Sequence, residues 1–83
     1  MSDKTVEIYR KNLEKRKGLK LSLNNGDYEV GKTYISGYWQ EIFKVLQIKD
    51  VDNWMRRIVV CQWEDGMINS HCTPISNNDF IVS

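Results

Sequence analysis

The run from Arg57 to Thr73 constrains this chain most. Arg57-Ile-Val-Val-Cys-Gln-Trp63 is dense in β-branched and aromatic residues and is followed by Asp65-Gly66. Asp-Gly is a preferred two-residue hairpin loop. With that loop Glu64 faces Met67, and the expected pairs continue as Trp63–Ile68, Cys61–Ser70 and Val59–Cys72. Side chains alternate across a strand. One face is thus expected to carry Val59, Cys61, Trp63, Ile68, Ser70 and Cys72 as the core face. The other carries Ile58, Val60, Gln62, Glu64, Met67, Asn69, His71 and Thr73 and is half wet, as in an antiparallel sheet covered on one side.

Upstream, residues 3–17 read as a helix. Val6, Tyr9 and Leu13 form a narrow apolar stripe with Ile8 beside it, Ser2 or Asp3 serves as N-cap, and Glu7 precedes Lys11 by one turn. Lys15, Arg16 and Lys17 crowd the last turn, and Gly18 stands at the C′ position. Leu19, Leu21 and Leu23 alternate with polar residues as a short strand, and Asn24-Asn25-Gly26-Asp27 is a turn. Residues 28–36 read as an extended segment interrupted at Gly31. Trp39, Ile42, Phe43 and Leu46 fit a helical face, but Ile42–Ile48 also fits a strand with a bulge. The Ile, Phe and Val content and the missing cap favour the strand. Asp50–Asn53 turns the chain towards Trp54 and the hairpin. Beyond Pro74, residues 76–79 form a tight turn before a last strand, Phe80–Val82.

The expectation is a mainly β (α+β) chain of 83 residues in one domain: a basic helix over 3–17, then about five short antiparallel strands closing a small barrel over 19–83. The order of elements from Asp27 to Val82 resembles the SH3-like small barrels. Tyr28-Glu-Val-Gly-Lys-Thr-Tyr34 resembles the V-G-x-x-Y opening strand of many of them, and Val59–Gly66 with the turn at 76–79 looks like their distal hairpin and closing strand. The chain also resembles short reading frames of phages and mobile elements. It departs from peptide-binding SH3 domains in lacking an Ala-Leu-Tyr-Asp-Tyr run, which argues against proline-rich ligands. It also lacks a basic, glycine-centred ribosomal-type loop, which argues against a translation role.

Composition narrows the function classes. Hydrophobic residues make up 41%, ordinary for a globular chain, and no apolar run approaches the roughly 20 residues of a membrane helix. With no signal-like N-terminus, a cytoplasmic location is expected. Cys61 and Cys72 fall diagonally on the expected core face, too far apart for an unstrained bridge, and read as two buried thiols. His71 and Cys72 leave a strand on opposite faces, as do Cys61 and His71 in the expected register, so no metal site or thiol centre is expected. Asp50 with Asp52, and Glu64 with Asp65, read as solvated turn acids. With no phosphate loop and no nucleophile elbow, the chain is read as a non-enzyme without cofactor.

Two binding expectations remain. The chain holds nine aromatics, and Tyr34, Tyr38, Trp39 and Trp54, with Arg56, fall at strand ends or in loops. Such residues anchor protein interfaces, and a small regulator or inhibitor of a larger protein is the first expectation. The second is nucleic-acid binding. Residues 1–20 carry a net +4 and the rest −3, so Arg10, Lys11, Lys15, Arg16 and Lys17 form a basic arm able to track phosphates while barrel aromatics stack bases. The same cations also complement a helix C-terminus. A Phe80–Val82 edge strand would permit edge-paired homodimers as well as a monomer.

Overall fold

A computed structural model describes residues 3–50, 57–73, 75 and 78–82. Helix α1 spans Asp3–Lys17 and is followed by six strands: β1 Leu21–Leu23, β2 Thr33–Ile35, β3 Ile42–Asp50, β4 Arg57–Trp63, β5 Ile68–Cys72 and β6 Phe80–Val82. The capping position Ser2, the turn residues 51–53, Trp54 and Arg56 lie outside the described residues. Gly18 ends α1 with φ 66°, and its N–H donates to the Glu14 carbonyl at 2.7 Å. This is the left-handed C′ position that glycine occupies without a Cβ clash.

The strands form one antiparallel sheet in the order β1-β6-β2-β3-β4-β5. The mainly β expectation holds, but the sheet has six strands rather than five and is not closed into a barrel. The terminal strand is not an edge: β6 sits between β1 and β2, and Phe80 is fully buried. Among the described residues the open edges are β1 and β5.

The sheet is covered on different faces in different places. On one face Tyr34, Phe43, Val45, Val59, Cys61 and Trp63 pack with Tyr28 and Ile75. On the other, Leu13 of α1 packs with Leu21, Ile35 and Phe80, and Val6 and Tyr9 close the rim. Adjacent residues Tyr34 and Ile35 are thus both buried, in different cores. Ile8, beside the helical stripe, stays exposed.

Strand β3 carries the expected bulge, a register shift between Val45 and Gln47. The extra residue reverses which face each later side chain takes. Phe43 and Val45 face the first core, and Ile48 returns to it after the bulge.

The β4–β5 hairpin differs from expectation by one residue. Trp63 N–H donates to Met67 O and Gly66 N–H to Trp63 O, both at 2.8 Å, so the loop is Glu64-Asp65-Gly66 with Gly66 at φ 90°. This is the three-residue loop in which a glycine in the left-handed region forms a bulge. The register becomes Val59↔His71 and Cys61↔Asn69. A one-residue slip moves every β5 side chain to the opposite face. Met67, Asn69 and His71 therefore share a face with Trp63, whereas Ile68, Ser70 and Cys72 lie on the other. The two thiols are free and on opposite faces; Cys61 is buried, but Cys72 is exposed rather than in the core.

Candidate functional site

The β2–β3 connection is a short loop, and it holds the most exposed aromatic side chains among the described residues. Ser36 N–H donates to Glu41 O and Gln40 N–H to Ser36 O, which closes residues 37–40 into a tight turn. The buried Ser36 hydroxyl accepts from Tyr38 N–H at 3.2 Å and Trp39 N–H at 3.1 Å. Such local side-chain bonds are why serine favours turns. The loop is also held from outside. Tyr9 donates its hydroxyl hydrogen to Gly37 O, Arg16 bonds the Gln40 side chain, and Gly37 N–H donates to Asp79 Oδ1 at 3.3 Å. Lys17 adds an ion pair from the end of α1 to Glu64 in the neighbouring hairpin loop, at 3.1 Å. The helix thus packs across the loop that carries Tyr38 and Trp39.

From this loop a continuous run of rings leads into the core. Tyr38 contacts Trp39 at 5.1 Å between centroids, Trp39 contacts Trp63 at 5.6 Å, and Trp63 contacts Phe43 at 4.9 Å. Phe43, Tyr34 and Tyr28 continue it inward. His71 packs against both Trp39 and Trp63 at 5.6 and 5.8 Å. Exposure runs from 74% at Tyr38 through 45% at Trp39 to 7% at Trp63. Between the loop and β5 lies an open groove of about 210 Å³, lined by Trp39, Glu41, Trp63, Asp65, Met67, Asn69 and His71. The Trp63 Nε1 and His71 Nε2 atoms are buried with no hydrogen-bond partner.

Of the residues singled out in the sequence, the structure brings Tyr38 and Trp39 together at this surface. Tyr34 lies in the core at 1% exposure, its hydroxyl accepting from Glu29 N–H at 2.8 Å, so it is not on the groove. Trp54 and Arg56 are outside the described residues. Among the basic candidates, Arg10 pairs with Glu14, Lys11 with Glu7, Arg16 with Gln40 and Lys17 with Glu64, while Lys15 stands exposed on the helix. Trp63, His71, Glu41, Asp65 and Met67 were not read as site residues. The signal for them was Glu64-Asp65-Gly66, which suits a three-residue bulged loop as well as Asp65-Gly66 suits a two-residue one.

Chemistry at the buried groups favours a quiet core. Contrary to the sequence-derived register, Cys61 and His71 share a face, on pairs of the β4–β5 ladder separated by Val60↔Ser70. Burial first, and the Asp79 carboxylate second, push the Cys61 thiol up to about 11. That is the direction of an inert thiol, since nucleophilic cysteines are shifted down. Burial, followed by the hydrogen bond to Asp79, pushes the Tyr28 phenol well above its ordinary value. Among the described residues no cluster of His, Cys, Asp and Glu suits a metal ion, and no helix is long and apolar enough to cross a membrane.

These two shifts set an alkaline limit on stability. Both folded groups hold their protons more tightly than the unfolded chain does, so their contribution is complete below the unfolded values. It is expected to decline from about pH 9, where the unfolded thiol ionises, and more steeply above pH 10, where the unfolded phenol follows. Urea midpoints between pH 8 and 11 measure this. The Tyr28→Phe/Cys61→Ala double variant should show a shallower alkaline decline than wild type, and equal slopes would refute the assignment.

No family model, curated protein or solved structure matches this chain.

Proposed function

We propose that this chain is a small, non-catalytic cytoplasmic module that works by binding another protein, as a regulator or inhibitor of a larger partner of the kind short phage reading frames supply. The observation supporting it is the surface formed by Tyr38, Trp39 and Met67, which are 74%, 45% and 60% exposed. Exposed aromatics backed by a packed core are the usual anchors of protein interfaces, and a loop already held in place loses little entropy on docking. Kinship with the SH3-like small barrels belongs to the same proposal. It rests on the Val30-Gly31 opening segment, the β3–β4–β5 meander and the final strand β6, preceded in the sequence by the turn-forming residues 76–79, of which 76 and 77 lie outside the described residues.

Photo-crosslinking from position 38 in the source cell tests the reading. A discrete protein adduct is expected, at least about tenfold weaker when Trp39→Ala is added, since removing an interface anchor costs about 1.4 kcal/mol or more. The competing reading, nucleic acid on the basic helix, predicts salt-sensitive binding of labelled DNA or RNA that reversing Lys15, Arg16 and Lys17 abolishes. That result, with no protein adduct at position 38, would displace the proposal.

A further inference from the structure

The groove beside β5 has a chemical character that narrows what it takes. Its walls are π-systems, Trp39 and Trp63 set at 78° to each other and His71 beside them. Its rim carries the carboxylates of Glu41 and Asp65, and among the described residues neither pairs with a cation. Asp65 uses Oδ1 to accept from Met67 N–H at 2.9 Å, which holds its carboxylate in place. Aromatic faces and carboxylates both attract cations, and the two acids repel a phosphate. Guanidinium suits the combination better than ammonium: it stacks on rings, is weakly hydrated and offers five donors in a planar fork.

One further feature calls for backbone as well as a cation. Strand β5 pairs only with β4 among the described residues. The Trp63–Met67 pair is hydrogen-bonded, so by the antiparallel alternation Asn69 and His71 also turn their amides towards β4. Ile68, Ser70 and Cys72 are left with N–H and C=O groups facing the open side. A strand added there places alternate side chains on the groove face, next to Asn69 and His71.

Resting on the protein-binding reading above, we propose that an extended segment of the partner adds as a strand to β5 and places an arginine in the groove, between the Trp39 ring and the Glu41 and Asp65 carboxylates. The partner is thus recognised by backbone pairing along β5 and by one cation, and an acidic segment is rejected.

The test uses the full chain and short peptides of alternating threonine and valine with a central arginine, citrulline or glutamate, followed by tryptophan fluorescence. The arginine peptide is expected to bind at least about tenfold more tightly than its neutral citrulline isostere. The glutamate peptide should not bind. Glu41→Gln with Asp65→Asn, which keeps a side-chain oxygen for Met67 N–H, should erase the arginine preference. N-methylating the peptide amides that face β5 should abolish binding. Equal binding of arginine and citrulline peptides, a preference that survives the double variant, or no binding of any peptide overturns the inference. A dimer in solution that Ser70→Pro dissociates would also overturn it, placing a second copy on the β5 edge. A protein adduct at position 38 without arginine selectivity would sink this inference alone, whereas loss of that adduct would remove the reading beneath it.

Discussion

Replacing Phe80 by alanine is expected to cost about 3–5 kcal/mol, the range for truncating a buried aromatic. Phe80 is fully buried and is the β6 residue that joins α1 to the sheet, packing with Leu13, Leu21 and Ile35. It also stands between two partner strands, opposite Leu23 of β1 and Ile35 of β2. A cavity there has backbone on both sides and little freedom to collapse. A chain of 83 residues has a modest margin, so the variant should lose most of its stability. Urea unfolding followed by far-UV circular dichroism measures it. Ile68→Ala, on the exposed edge strand, should move the midpoint little, and Phe80→Leu should recover much of the loss. A Phe80→Ala midpoint within about 1 kcal/mol of wild type would contradict the placement of this core.

The second large effect is expected at the neighbouring residue. Asp79 is 1% exposed and accepts from the Tyr28 hydroxyl and from Gly37 N–H at 3.3 Å. Its own carbonyl accepts from Asn24 N–H at 2.8 Å. One buried carboxylate thereby ties the segment before β6 to Tyr28 on one side and to the aromatic loop on the other. Asp79→Ala strands both donors and is expected to cost about 3 kcal/mol, as removing one member of a buried charged network does. Asp79→Asn, which keeps an acceptor oxygen, should cost less. A cycle of Tyr28→Phe with Asp79→Ala, each of which removes the bond, should show coupling above about 0.5 kcal/mol. Additive single effects would show that the hydrogen bond contributes nothing. Because Gly37 opens the loop bearing Tyr38 and Trp39, Asp79→Ala should also raise the mobility of Trp39, read as reduced fluorescence anisotropy under native conditions.

Much of the architecture was legible in the order of residues. The helix over 3–17, its stop at Gly18, the bulged strand at Ile42–Ile48 and the final strand at Phe80–Val82 follow from period, capping and β-branched content. These are local properties, set by what neighbours along the chain do to backbone torsions. Tyr38 and Trp39 were legible only as aromatics at a strand end or in a loop; the turn closed on Ser36 that carries them is seen in the structure.

The partners of each face were not local. Tyr34 and Tyr38 both look like loop-flanking aromatics, yet Tyr34 pairs with Phe43 and sinks into the core while Tyr38 ends up on the surface. The position of β6 inside the sheet depends on β1 pairing with it across most of the chain length, a contact that no periodicity encodes. The hairpin register turned on whether Glu64 belongs to the strand or to the loop. Both loops suit the same residues, and packing favours the one that lays His71 against Trp63 and Trp39. The sequence by itself determined the elements and set Tyr38 and Trp39 outside the strands. Tertiary structure alone decided the strand order, the open edges and the groove, because a shift of one residue in pairing reverses every side chain of a strand while leaving its local preferences unchanged.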